Sequence, residues 1–278
     1  MIKLGYATRK KLKTIGLYLL LIGLSIVVLL PIVSALLTSI TPNEQLVEGV
    51  LIPTQITFHR FIELFTYSHI ETNLVNSLLV ASAVSLLTVI ISSTAAYGLS
   101  RSRSRATTWI RNSLFSAYVV PRVMIAFSLV SFFADFRLIN TLHGVVLAHL
   151  TTTVPFTTLI LWPFFDAIPK SLDEAARIDG ASRIRTFLSI IMPVALPGVV
   201  SLAIFAFILS WSDWTFCFFL LRSRNMYTMS LRISDFMVAE WVSPWDRGLP
   251  AATLISLPLI VVFGILQNRL IKGMGRFR

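Results

Sequence analysis

A chain of 278 residues with 55% hydrophobic and 13% charged side chains, and a mean hydropathy of +0.79, is too apolar for a soluble domain and belongs in lipid. Its net charge of +11 does not point to nucleic acid, because the basic residues are dispersed at the ends of apolar runs and not gathered on a polar domain. The one cysteine, Cys217, sits inside an apolar run, which excludes an intrachain disulfide framework and a cysteine zinc site.

Lys3, Arg9, Lys10, Lys11 and Lys13 precede a first span at about 14–37. At ~1.5 Å per residue this run exceeds the ~30 Å hydrocarbon thickness. Val33-Ser34-Ala35 has the small-residue look of a signal cleavage site, but the apolar run is too long and further spans follow, so a retained anchor is expected. Residues 41–73 carry Glu44, Glu48, Glu63 and Glu71 against Arg60, a balance that belongs outside. Within them Phe58 to Tyr67 is either a short interfacial helix or a plain loop. A second span follows at about 74–99, and Arg101, Arg103, Arg105 and Arg111 mark an inside loop. Ala81, Ser82, Ala83 and Ser85 would let a neighbouring helix come close, and ordinary packing explains them.

The third span, about 110–134, contains Pro121-Arg122 near mid-depth, where an arginine costs ~2.5–3.5 kcal/mol. Arg122 must therefore face protein or water. Two readings stand: it lines a translocation path and donates hydrogen bonds to a polar solute, or it pairs with an acid such as Asp213 or one on a partner subunit. In the fourth span, about 142–165, His143, His149, Thr151, Thr152, Thr153, Thr157 and Thr158 are expected to point into the bundle. The threonines would satisfy carbonyls freed by Pro155, or form a solute-facing stripe that includes Thr152. The histidines lack i, i+4 spacing and a nearby third ligand, so no metal site is expected.

Residues 166–193 are the one long polar stretch between greasy runs, and Lys170, Arg177, Arg183 and Arg185 place it inside. Ser171 with Glu174 reads as a capping box starting a helix at Leu172, and Asp173 and Glu174 complement its dipole. Gly180 fits the left-handed residue that ends it, and Ser182 can cap a second helix running until Pro193. Ala175 and Ala176 leave the backbone approachable by another protein's groove, with Glu174 free for a basic partner. The fifth span, about 194–221, holds Asp213 between Trp211 and Trp214, an arrangement expected of an aromatic belt at the headgroups. Residues 222–248 form a second long outside segment, fit to meet a solute-binding protein or to pack on its own bundle. A last span at about 249–268 precedes Arg269, Lys272, Arg276 and Arg278.

The order Glu174-Ala175-Ala176, three residues, Gly180, nine residues, Ile190-Ile191-Met192-Pro193 resembles the cytoplasmic coupling loop of ABC importer permeases. Leu138 to Leu142, Val154-Pro155-Phe156, Ile168-Pro169 and Phe187 to Gly198 are similar to the smaller, six-span permease of carbohydrate (maltose-type) binding-protein-dependent importers, a likeness running from about Asn76 to Asn268. The resemblance implies an all-α integral membrane protein, a single permease domain over 1–278 in the inner (plasma) membrane. Six transmembrane helices, both termini cytoplasmic and a coupling helix between spans four and five are implied with it. It also implies that Glu174, Ala175, Ala176, Asp179, Gly180 and Pro193 couple to an ATPase dimer, which holds the ATP and Mg. This chain, a transport subunit and not an enzyme, has no Gly-Lys-Ser/Thr phosphate loop and is expected to bind no cofactor. Its implied partners are a second, non-identical permease, an extracytoplasmic solute-binding protein and membrane lipid. The implied solutes are sugars or related polyols and glycosides. Closure of the ATPases would move the docked helix, and spans four and five would rock as levers.

Arg122, Thr152 and Asp213 are the candidates for the path. The chain departs from the family's pattern at Met192, at Ser212 and at Ala126-Phe127-Ser128-Leu129. An ion-coupled secondary transporter could use Arg122 and Asp213. A membrane-embedded enzyme would need a convergent acid, base and nucleophile, which Arg122, His143, His149 and Asp213 do not supply.

Overall fold

Backbone groups in lipid must be satisfied within their own segment, and the computed structural model answers with helices throughout. It describes residues 6–50, 52–102, 104–238 and 244–274, and no strand occurs among them. Lys3, Arg103, Arg276 and Arg278 lie outside the described residues. The described residues form two compact units, one up to residue 68 with 236–254, the other 69–235 with 255 onward.

The first unit opens with α1 (Tyr6–Ile40), of which Lys13–Ile40 is long and apolar enough to cross a membrane. A short α2 (Asn43–Val47) follows, then α3 (His59–Ser68), so the aromatic segment is a helix and not a plain loop. Arg60 fastens α3 to α1 by donating from Nη1 to the Thr38 carbonyl at 2.9 Å.

The second unit is built on α4 (Ile70–Arg101), a proline-free helix of 32 residues and therefore about 48 Å long. Next come α5 (Arg105–Val119) and α6 (Arg122–Asp135), bent by 97° at Val120-Pro121. The expected continuous third span is thus interrupted. Proline disfavours helical backbone in the residue before it, and Val120 is extended at ψ 128. In α7 (Leu142–Asp166) Pro155 and Pro163 are absorbed without a break. Thr151, Thr152 and Thr153 donate to the carbonyls of Ala148 and His149 and not to the Thr151 carbonyl that Pro155 frees, so they do not play the expected part.

Two short helices, α8 (Ser171–Ile178) and α9 (Arg183–Thr186), lead into a π-helical turn, Phe187–Ile191, and then α10 (Met192–Trp211). Pro193 therefore does not end the second helix. The π-turn widens the backbone, Met192 N–H reaching back five residues to Phe187 O, where the proline ring would otherwise strike the carbonyl four residues earlier. The fifth apolar run is also interrupted: α10 stops at Trp211 and α11 (Thr215–Leu220) begins after a three-residue break. The remaining elements are a 3₁₀ turn at Arg224–Met226, α12 (Met229–Val238) and α13 (Pro244–Met274), so the segment expected as an outside loop is largely helical. Among the described residues four helices are long and apolar enough to cross a membrane, and the bent pair α5–α6 raises this to five.

α4 is the packing axis of its unit. Ser85 donates to Ala203 O on α10 at 2.7 Å, and Thr88 meets Thr153 on α7 at 2.8 Å. Gly198 lets α10 approach α7, since a Cβ there would lie 2.7 Å from the Phe164 ring. At its first turns Asn73 donates to the Arg224 and Tyr227 carbonyls, Asn76 to the Asn225 carbonyl, and Ser77 Oγ accepts Met229 N–H. Asn140 accepts the N–H groups of Arg222 and Ser223, both at 2.9 Å. Side-chain amides thus hold a connection that has few backbone bonds of its own.

Candidate functional site

Two places gather the residues singled out by sequence. The first is the elbow at α8. Helical turns already begin at Pro169 and Lys170, whose carbonyls accept from Leu172, Asp173 and Glu174 N–H. Ser171 therefore lies inside the first turn, α8 has no side-chain cap, and the expected capping box does not form. The other end follows expectation. Gly180 has φ +76, its N–H bonds Arg177 O at 3.1 Å, and Ala181 N–H bonds Ala176 O at 2.9 Å, the paired closure of a glycine-ended helix. Ser182 Oγ then accepts Arg185 N–H and starts α9.

The face that α8 presents is narrower than two open alanines. Glu174, Ala175, Arg177, Asp179 and Gly180 are exposed, but Ala176 is 3% exposed and packs inward. Ile178 and Ile184, at 86% and 73%, project outward beside them. Sequence reasoning passed over both, although each interrupts an otherwise polar stretch. Asp173 turns inward to Arg101: Nε donates to Oδ2 at 3.0 Å, Nη2 lies 2.9 Å from the same oxygen, and Tyr97 Oη donates to Oδ1. A dipole-compensating residue is in fact half of a buried ion pair.

The second place joins the two helix breaks. Arg122 opens α6 and Asp213 lies in the gap before α11, with Nη1 and Oδ2 3.6 Å apart. A cation at a helix N-terminus is unfavourable, and Asp213 offsets it while also accepting Phe216 N–H at 2.8 Å. Asp213 is 6% exposed and its neighbour Trp211 1%, so this is an interior carboxylate. His149 Nε2 is 3.4 Å from Asp213 Oδ1, and Nδ1 meets Ser210 Oγ at 2.7 Å. Thr152, 7% exposed, stands one turn along α7 and donates to His149 O at 3.1 Å.

Ligand atoms of His149, Asp213 and Cys217 lie within 4.8 Å of one another, a grouping that a same-helix spacing rule cannot find because it comes from α7, the break and α11. These atoms could hold a soft divalent ion. The guanidinium on the other oxygen of Asp213 opposes such an ion and favours the ion pair. The arrangement is an ion pair placed where two helix breaks meet, with Arg122 still 40% exposed and able to donate to a solute.

The description of one protein family, binding-protein-dependent transport system inner membrane component, matches residues 88–276. The chain belongs to this family. The permease is a transport component of the cell membrane and not itself an enzyme, its ATPase being a separate subunit. It is 32% identical over 223 residues, 80% of this chain and 97% of the relative, to a putative ABC transporter permease protein, ORF1, of Streptomyces antibioticus. It is 28% identical to the trehalose/maltose transport system permease MalG of Thermococcus litoralis, over 92% of this chain and 94% of that one. In fold it is similar to a solved bacterial ABC transporter involved in import of the acidic polysaccharide alginate, with a TM-score of 0.82 at 18% identity, covering 96% of the permease and 99% of that chain.

Proposed function

We propose that the permease forms half of the translocation path of an ATP-driven sugar importer and takes its power stroke at the α8 elbow. The observation that carries this reading is the elbow itself: a glycine-closed helix presenting Glu174, Ala175 and Ile178 between two membrane-length helices. A neighbouring ATPase dimer would receive that face and hold the ATP and Mg. The carbohydrate solute class rests on the relatives' names, which include permeases for trehalose/maltose, diacetylchitobiose and melibiose/raffinose/stachyose. The bent pair counts as one span and the apolar part of α13 as another, giving six with both termini cytoplasmic, in keeping with the basic residues at Lys11, Lys13, Arg101 and Arg185. A second, non-identical permease completes the path, and a solute-binding protein delivers from outside to the connection held by Asn73, Asn76 and Asn140. On this side Arg122 faces the path, with Asp213 and Thr152 buried behind it as its support.

The test is uptake of radiolabelled trehalose, maltose or raffinose into proteoliposomes holding the full complex. Uptake that requires binding protein outside and ATP on the ATPase side is the expected result. Uptake driven by a proton or sodium gradient with the ATPase omitted would assign the chain to ion-coupled carriers.

A further inference from the structure

The elbow is joined to its flanking spans by two turns, one at Pro169 and one at the left-handed Gly180, so the peptide links alone transmit little of its orientation. α8 packs on α9 and the π-turn, with Leu172 against the apolar cluster of Ile168, Phe187 and Ile191, and its one ion pair is made to the last turns of α4. Arg101 carries the Asp173 pair, donates from Nη1 to Phe165 O at the end of α7 at 3.0 Å, and lies 5.4 Å from the Tyr97 ring centre. The Tyr97 ring is stacked 4.9 Å from Phe187 of the π-turn. Both partners of the ion pair are largely buried, at 16% and 11% side-chain exposure, where a charge-assisted hydrogen bond is strong and hard to exchange for water.

At its other end the same helix holds the 224–229 connection through Asn73, Asn76 and Ser77, and nothing between is a proline. We infer that α8 is fastened to α4 by Asp173, Arg101 and Tyr97, so that movement of the elbow enters the bundle through the second span and is carried along it to the 224–229 connection. This rests on the elbow being the ATPase dock, and it adds the second span to the flanking spans as a lever. Asp173, Arg101 and Tyr97 are positioning residues: none of them needs to touch the ATPase.

The experiment uses the full complex in nanodiscs, with spin labels at Ser171→Cys on α8, away from the docking face, and Ile90→Cys on α4, both exposed positions. The expected distance distribution is narrow and identical in the nucleotide-free and vanadate-trapped states. In Asp173→Asn the ATPase still co-purifies and hydrolyses ATP, but the narrow distribution is lost in the trapped state. Tyr97→Phe, which removes one hydroxyl and leaves the ion pair, gives a partial loss and serves if Asp173→Asn does not fold. A label distance that shifts between states in the unsubstituted pair, or that stays narrow in both variants, overturns the fastening. Loss of the ATPase from Asp173→Asn would also overturn it, by making Asp173 part of the dock. Failure of the ATPase to bind the unsubstituted permease would instead strike the docking reading.

Discussion

Replacing Arg122 with methionine is expected to abolish ATP-dependent sugar uptake while the permease still assembles with its partners. Arg122 is the one side chain of the buried cluster that keeps substantial exposure, 40% against 4% for Asp213, so it can reach a solute without leaving its carboxylate. The substitution alone strands Asp213. For a fully buried pair that costs ~3–5 kcal/mol, and the exposure of Arg122 puts the loss here at the low end. Two further variants separate the causes. Arg122→Met combined with Asp213→Asn removes both charges, so no carboxylate is stranded, and leaves no guanidinium exposed to the solute. If Arg122 contacts solute, uptake stays absent in the double variant although the complex regains its thermal stability. If the pair is only structural, uptake returns. Arg122→Lys keeps the charge but loses the planar fork, and intermediate uptake is expected.

The other large effect lies at the elbow. Gly180→Pro demands φ near −65° where the backbone holds +76, and it removes the N–H that bonds Arg177 O, so the closure of α8 cannot form. Co-purification with the ATPase should be lost. Glu174→Lys reaches the same outcome by another route. Glu174 is exposed and bonds nothing that holds the bundle together, so the fold stays intact and only a partner that reads its charge is repelled. Truncating a charge buried at an interface costs about 2–5 kcal/mol, enough to lose the ATPase during washing. A pull-down from detergent extracts, with the thermal unfolding midpoint of each variant measured alongside, checks both. An ATPase retained by Glu174→Lys would place the contact elsewhere.

What the chain discloses before folding is the local part. Uninterrupted apolar runs match α4 and α7 to within about four residues and the C-terminal end of α1 to within about three, because a helix in lipid needs only length and the absence of charge, while the start of α1 runs back through the basic residues to Tyr6. Gly180 and Ser182 were legible for the same reason, each acting on backbone a few residues away. Pro121 and Pro193 show where this stops. Both are prolines in apolar runs, yet one breaks its span by 97° and the other is absorbed by a π-turn, and only the neighbouring packing decides which. Asp173 marks the same limit: its partner, Arg101, is 72 positions away, so a reading confined to neighbours assigns it to a helix dipole. The Arg122–Asp213 pair, 91 positions apart, is one of the two readings open for Arg122, because an arginine at mid-depth calls for an acid, whereas the neighbours of Asp213 alone point to a headgroup belt.

The most direct measurement is modification of Ile178→Cys by a membrane-impermeant maleimide in vesicles of known orientation. Cys217, the chain's one cysteine, is fully buried, so the introduced thiol alone should report. Labelling only from the cytoplasmic face, suppressed when the ATPase subunits are present and restored when they are stripped, is the predicted result. Labelling from the opposite face, or labelling indifferent to the ATPase, would contradict the account.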